Sequence, residues 1–256
     1  MAAIPLSDEA PTTETPVVNL TLILVNTLVY IVGVIAPGLL LPGAHSYDEV
    51  VFKLGLVPAL VVAGQSLYTL ITSMFLHGGL VHLLGNMLYL YIFGDNIENA
   101  MGRLRYLIFY LLSGLGATMF HIASIMFMPS KALASAALEQ GVSPWLVPAI
   151  GASGAISGVL GAYMVYFPYA EIRVVTLWGF IPFFLQLPAF AYIAFWFIYQ
   201  LALGLTTALT GVAAGVAFWA HVGGFLTGMA LAPLMVDKRR LARIYLGYRL
   251  RGLLPF

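Results

Sequence analysis

The sequence predicts an all-α membrane protein, a polytopic bundle of six transmembrane helices with a long first loop that lies partly in the interface. Two observations support this fold class. Of the 256 residues, 61% are hydrophobic and only 8% are charged, whereas a soluble domain is about 25% charged. The charges also gather near the ends, which leaves eleven for the 220 residues from 17 to 236. This composition excludes a soluble globular enzyme and a disordered chain.

The chain divides into three predicted parts. Residues 1–16 are polar, acidic and proline-containing, which predicts a short flexible N-terminal tail. Residues 17–236 contain the candidate spans and form the predicted membrane domain. Residues 237–256 form a basic C-terminal tail in which charges alternate with Leu, Ile and Tyr. Such a pattern fits a helix lying on the anionic inner leaflet, and it fits an unstructured tail equally well.

Six stretches are candidate spans, because a membrane helix needs about 20 mostly apolar residues. They are Val17 to about Leu39, Leu80 to about Asn96, Leu104 to about Met128, Val147 to about Phe167, Pro188 to about Leu205, and Ala213 to about Met235. The second is short and partly polar. The segment 40–79 mixes charged and apolar residues, and it is the predicted long first loop.

The basic residues predict the orientation of the bundle. With six spans, both ends of the chain lie on one side. If that side is the cytoplasm, nine Lys and Arg residues lie inside, and only Lys53 and Lys131 lie outside. Cytoplasmic loops of membrane proteins carry this excess of positive charge. The sequence therefore predicts a multi-pass protein of the cell membrane with cytoplasmic termini, and its net charge of +1 gives no indication of nucleic-acid binding.

Polar side chains inside the predicted spans are few, and such residues usually mark function. His82 and Asn86 on span two, Ser153 on span four and His221 on span six fall at overlapping depths, roughly 4 to 13 Å below the outer boundary. Small residues let the backbones of two helices approach closely, which would bring the serine hydroxyl to the imidazole. The glycines predicted to support this approach on spans four and six are Gly151, Gly154, Gly158, Gly224 and Gly228.

Other intramembrane chemistries fit the sequence less well. The chain has no cysteine, which excludes thiolate metal sites and a cysteine nucleophile. A zinc protease needs an HExxH motif, but His77 and His82 are five apart with no Glu between them. An aspartyl protease needs two carboxylates, and Asp95 is the only Asp in or near a span. No metal and no cofactor are predicted.

An acidic partner for the histidine is absent from the predicted spans four and six, which contain neither Asp nor Glu. A Ser–His–Asp triad needs such a residue to orient the imidazole. A serine hydrolase built on this sequence is therefore predicted to use a dyad, with His221 oriented by packing or by another hydrogen bond. Serine in a membrane helix often only packs or bonds the backbone, which would leave Ser153 without a catalytic role. Histidines inside a membrane can also carry protons, so a proton-coupled transporter using His82, His121 and His221 is a second hypothesis.

Three motifs, each on its own span, resemble the rhomboid family of intramembrane serine proteases. They are MFLHGGLVHLLGN with His82 and Asn86, GASG with Ser153, and AHVGGFLTG with His221. The resemblance implies that Ser153 is the nucleophile and His221 the general base and then acid. It implies an oxyanion hole made of His82, Asn86 and the Ser153 backbone N–H. It also implies substrates that are transmembrane segments of other membrane proteins, cleaved near their outer end.

The resemblance covers most of residues 65–230 and includes an FGxxxE pattern that ends at Glu98. Two positions depart from the family. The pair Tyr68-Thr69 stands where a Trp-Arg pair is common, and Ser157 stands where some members have an aromatic ring stacked on the catalytic histidine. Span five is the implied lateral gate, although lipid contact explains its bulky residues 195–197 better. A non-catalytic relative that binds membrane clients is a third hypothesis, and the sequence leaves the oligomeric state open.

Overall fold

The computed structural model describes residues 4–10, 12–178, 180–211 and 216–250, and most of them are helical. The helices are α1 (Val17–Ile35), α2 (Pro37–Leu40), α3 (Tyr47–Leu54), α4 (Pro58–Val62), α5 (Thr69–Thr72), α6 (Leu80–Met101), α7 (Arg103–Met126), α8 (Ser130–Gln140), α9 (Ser153–Tyr166), α10 (Ala189–Thr210), α11 (Phe218–Met235) and α12 (Lys238–Leu250). Two 3₁₀ turns, Ser73–Phe75 and Pro144–Leu146, and three strands, β1 (Ile4–Asp8), β2 (Glu171–Trp178) and β3 (Ile181–Pro188), complete the order.

Several of these helices are long and apolar enough to cross a membrane. Among the described residues, four single helices have the length and hydropathy of a membrane span, namely α1, α7, α10 and α11. The turn Thr69–Phe75 and α6 form a pair bent by 94°, which gives a fifth if the pair counts as one span. Helix α9 is apolar but has only 14 residues. The prediction of a multi-pass membrane protein is confirmed, and the number of six spans stays a prediction.

Helix α9 lies at the centre of the bundle, and eleven of its 14 residues are buried. It packs mainly against α11 and α7. A Cβ atom added at Gly224 would lie 2.0 Å from the carbonyl oxygen of Gly154, and one added at Gly228 would lie 2.2 Å from that of Gly158. The backbones of α9 and α11 are therefore in direct contact, as small residues allow in membrane helices.

The predicted start of span four is wrong by six residues. The helix begins at Ser153, whereas the sequence pattern placed the start of the span at Val147. Ala149 pairs with Leu56 of the first loop through two backbone hydrogen bonds of 2.8 and 3.0 Å. Gly151 has a φ of +126°, a conformation that a side chain would strain. The apolar residues up to Ala149 therefore precede the helix, and Ala149 itself is paired with the first loop.

The prediction of an all-α fold is wrong at one end of the bundle, where the three strands form an antiparallel sheet in the order β1-β2-β3. Strands β2 and β3 pair directly, with Val175 opposite Phe184. Strand β1 pairs with β2, with Ile4 opposite Val175. β1 arises from the segment that was expected to be a flexible tail. A search for apolar runs of about 20 residues misses strands of five to eight residues, and β1 in addition has its partner far away in the sequence.

The N-terminal segment and α12 meet at this same end of the bundle. The carboxylate of Glu98 on α6 accepts hydrogen bonds from the backbone N–H groups of Val18 and Asn19, at 3.1 and 2.7 Å. These are the first amides of α1, which have no carbonyl partner inside their own helix. The guanidinium of Arg240 on α12 lies 3.0 Å from the carboxylate of Glu14. The basic tail thus contains a helix that packs on the bundle beside the N-terminal segment.

Candidate active site

Ser153 is the first residue of α9, and the chain turns sharply just before it. The backbone N–H of Gly151 donates to the carbonyl of Ser73 at 2.9 Å, which fixes the turn against the first loop. The first amides of a helix have no intrahelical acceptor and carry a partial positive charge. The backbone N–H of Ser153 is one of these. A negatively charged oxygen beside the Ser153 side chain would therefore meet a favourable field.

Ser153 and His221 are brought together by the close approach of α9 and α11. The Oγ of Ser153 and the Nε2 of His221 are 2.8 Å apart, an ordinary hydrogen-bond length. Both side chains are half-buried. An imidazole at this distance is able to accept the hydroxyl proton when the oxygen attacks a carbonyl carbon.

The other ring nitrogen of His221 is held by α10. Its Nδ1 lies 2.8 Å from Oε1 of Gln200. The ring of Trp196, one turn earlier on α10, lies 6.1 Å from the His221 ring, with the two planes inclined by 34°. The structure therefore places a hydrogen-bond partner at the ring nitrogen for which the sequence identified none. It also supplies an aromatic neighbour, from span five and not from span four.

The expectation that residues 195–197 mainly contact lipid is wrong for two of the three. Phe195 is exposed, as expected. Trp196 is half-buried beside His221, and Phe197 stacks on Phe225 of α11 with ring centroids 4.5 Å apart. Successive residues of a helix point about 100° apart, so a run of three bulky residues cannot all face one environment.

His82 lies beside the turn that precedes Ser153, and Asn86 lies one turn after His82 on α6. A Cβ atom added at Gly151 would lie 2.9 Å from Nε2 of His82 and 3.6 Å from Oγ of Ser153. The missing side chain of Gly151 thus leaves a small space between the imidazole and the hydroxyl. Asn86 is buried, and its Nδ2 has no hydrogen-bond partner within the described part of the chain. A buried amide donor without a partner is costly, so this Nδ2 is available to donate to an oxygen that enters the site.

A cavity of about 50 Å³ also borders Ser153. Ser73, Thr118 and His121 contribute polar atoms to its lining. A single water needs only ~10–15 Å³ of such volume, so the cavity has room for a few waters beside the hydroxyl. His121 therefore lies near the site as its depth suggested.

The remaining predicted positions have structural contacts. Ser157 is buried, and its hydroxyl donates to the carbonyl of Ser153 at 2.7 Å, so it supports the first turn of α9. Tyr68 donates its hydroxyl to the carbonyl of Lys53 at 3.0 Å, and Thr69 is buried. These contacts tie the first loop together where the family often has Trp-Arg. His77 lies in the bend between the 3₁₀ turn Ser73–Phe75 and α6, with its ring against His82 at 5.1 Å.

Gln200 is the residue that sequence analysis missed. A signal was present, because an amide inside an apolar helix is costly and usually has a partner. The other polar residues of the site lie in motifs with recognisable spacing, and Gln200 lies in none of those motifs. No group of three or more His, Asp and Glu side chains in the described ranges is placed to hold a metal ion.

Comparison with known proteins gives one family. A family profile for the Rhomboid domain matches residues 64–238. The chain is 31% identical over 176 residues to RHOMBOID-like protein 6, mitochondrial, of Arabidopsis thaliana, which covers 69% of this chain and 46% of that protein. It thus spans less than half the length of that plant relative.

Two bacterial proteins are also similar. Rhomboid protease AarA of Providencia stuartii is 26% identical over 230 residues, which covers 88% of this chain and 76% of the relative. Rhomboid protease GluP of Bacillus subtilis (strain 168) is 31% identical over 122 residues, which covers 48% of this chain and 20% of the relative. The residues that the family profile matches include Ser153 and His221.

Proposed function

Because this chain belongs to the rhomboid family, we propose that it is an intramembrane serine endopeptidase that cleaves transmembrane segments of other membrane proteins. The observation that carries the proposal is the 2.8 Å contact between Oγ of Ser153 and Nε2 of His221. Proteases among its relatives, AarA and GluP, support the same reaction class. No metal or cofactor is needed for the steps that follow.

The first step forms an acyl-enzyme. Nε2 of His221 takes the hydroxyl proton as Oγ of Ser153 bonds to the scissile carbonyl carbon. The carbonyl oxygen becomes an oxyanion in the space beside Gly151. The proposed donors to this oxyanion are Nε2–H of His82, Nδ2 of Asn86 and the backbone N–H of Ser153, and such preorganised donors stabilise the transition state. The C–N bond then breaks, and the leaving amine takes the proton from His221.

The second step reverses the roles with water. A water molecule gives a proton to Nε2 of His221, and its oxygen bonds to the acyl carbon. The bond to Oγ of Ser153 then breaks, and the proton returns to Oγ. The cavity lined by Ser73, Thr118 and His121 is a store of water within reach of the acyl group. The substrate must be extended at the scissile bond, because a helical carbonyl is shielded by its own hydrogen bond.

The proposed topology places this chemistry near the outer face of the cell membrane. Six spans, α1, α6, α7, α9, α10 and α11, would put both termini, the sheet and α12 in the cytoplasm. This arrangement puts nine of the eleven basic residues inside. It makes residues 17–236 the membrane domain and sets α12, in the segment 237–256, against the inner leaflet.

The contacts of His221 distinguish a serine protease from a proton path. Each ring nitrogen of His221 already has a side-chain partner, Ser153 on one side and Gln200 on the other. A relay along His82, His121 and His221 would need an imidazole that passes protons to the next one. The contacts of His221 favour nucleophilic catalysis.

Cleavage of a reporter with one transmembrane segment, in liposomes, tests the function. Ser153→Ala and His221→Ala are each expected to lower kcat by about 10⁴-fold or more, since removing one member of a catalytic pair disables the pair. A fluorophosphonate is expected to label wild type at Ser153 and neither variant. Ser124→Ala is the matched control, because the Ser124 hydroxyl only donates to a carbonyl of its own helix, that of His121. Full cleavage by Ser153→Ala would refute the function.

A further inference from the structure

Gln200 is a buried amide in a helix that is otherwise mostly apolar. The residue is 7% exposed, and its Oε1 lies 2.8 Å from Nδ1 of His221. Burying an amide without a hydrogen bond costs free energy, so its partner is the interaction that retains it in place. The amide reaches the one nitrogen of His221 that Ser153 does not use.

With Oε1 of Gln200 facing Nδ1, this contact favours one of the two tautomers of the imidazole. A neutral imidazole has one donor nitrogen and one acceptor nitrogen. A carbonyl oxygen only accepts, so a contact with Oε1 of Gln200 keeps the proton on Nδ1 of His221. Nε2 is then free to accept the hydroxyl proton of Ser153, which is the tautomer that a general base requires.

No carboxylate is available for this task on the neighbouring helices, since α9, α10 and α11 contain neither Asp nor Glu. The titratable side chains that act electrostatically on His221 are His82 on α6 and His121 on α7, and both are bases. The Trp196 ring flanks the imidazole but offers it no acceptor. Gln200 is thus the acceptor that the described residues place at Nδ1.

We propose that Gln200 is the positioning residue of His221, performing with a neutral amide the orienting task of the acid in a Ser–His–Asp triad. The inference rests on the proposed protease function. Gln200 touches neither Ser153 nor the substrate in this proposal, and it acts only through the imidazole. Because Gln200 is on α10 and His221 is on α11, the productive tautomer depends on α10 remaining packed against α11.

Three variants test the inference in the liposome assay, with KM expressed as substrate density in the membrane. Gln200→Met keeps the length of the side chain and removes the acceptor. It is expected to lower kcat roughly 10- to 100-fold, the loss typical of a misplaced catalytic group, while KM stays nearly constant. Gln200→Glu restores an acceptor and is expected to recover kcat to within about tenfold of wild type. Tyr199→Leu, at a residue 53% exposed on the same helix, is the control and should match wild type.

The outcomes separate the inference from the function on which it rests. Wild-type kcat in Gln200→Met, with cleavage still abolished in Ser153→Ala, overturns the inference and leaves the protease standing. Equal losses in Gln200→Met and Gln200→Glu, with a lowered thermal midpoint in both, show a packing role only and also overturn it. Absence of both cleavage and fluorophosphonate labelling in wild type would instead refute the protease function.

Discussion

Gly224→Ala tests whether the contact between the α9 and α11 backbones sets the distance between Ser153 and His221. Gly224 lies one turn after His221, and its added Cβ atom would stand 2.0 Å from the carbonyl oxygen of Gly154. Gly154 directly follows Ser153. Both contacting groups belong to the backbone, so no side-chain rotation relieves the overlap.

The size of the effect follows from this overlap. Restoring a tolerable separation of about 3.0 Å requires the helices to move apart by about 1 Å. The distance between Oγ of Ser153 and Nε2 of His221 would then grow from 2.8 Å to about 3.8 Å, beyond hydrogen-bonding range. Overpacking of this kind costs about 1–3 kcal/mol, and alanine returns up to about 1 kcal/mol through helix propensity. A displaced catalytic pair lowers kcat by about 100-fold.

The assay is reporter cleavage in liposomes together with thermal unfolding in detergent. Gly224→Ala is expected to lose most of its kcat and only a modest part of its stability. Gly85→Ala is the matched control, because Gly85 is also helical and its added Cβ atom would meet no atom within 4 Å. It should keep full activity. Wild-type kcat in Gly224→Ala would refute the reasoning that helix separation sets the catalytic distance.

Two further predictions concern other parts of the chain. Asn86→Ala should lower kcat by about 10²–10³-fold through loss of an oxyanion donor, without destabilising the fold; unchanged kcat in the liposome assay would contradict this. Burial raises the pKa of Asp8 from 3.8 to about 6. The folded state therefore binds the proton more tightly, and docking of β1 should weaken by about 3 kcal/mol as pH rises from about 4 to about 6. Hydrogen exchange of residues 4–10 measures this, and Asp8→Asn should remove the contribution of Asp8 to this pH dependence.

The parts of the site that the sequence could predict are those with local signals. His82, Asn86, Ser153 and His221 are polar residues in apolar runs, and their depth followed from a constant rise per residue. The glycines beside Ser153 and His221 predicted close approach because a missing side chain is visible in the sequence. The close approach of α9 and α11 places Ser153 beside His221.

The parts that could not be predicted depend on pairing between distant segments. Strand β1 has only five residues, and it is a strand because β2 offers it backbone partners about 170 residues away. The start of α9 depends on the pairing of Ala149 with Leu56. The role of Gln200 depends on which face of α10 turns toward α11. An apolar run records that a segment is buried or in lipid, but not which neighbour it meets.

The three helices around the site differ in how they are held. Helices α9 and α11 touch through backbone atoms at Gly154 and Gly224, so their separation is fixed and so is the distance from Ser153 to His221. Helix α10 reaches the site through side chains, chiefly Gln200 and Trp196. A displacement of α10 would therefore leave the hydroxyl and imidazole close together while it removed the acceptor at Nδ1. In the proposed protease, a substrate segment that displaced α10 would therefore leave Ser153 and His221 in contact. It would remove the hydrogen bond that orients the imidazole. The Gln200 variants and Gly224→Ala consequently perturb different properties, the orientation of the base in one case and the catalytic distance in the other.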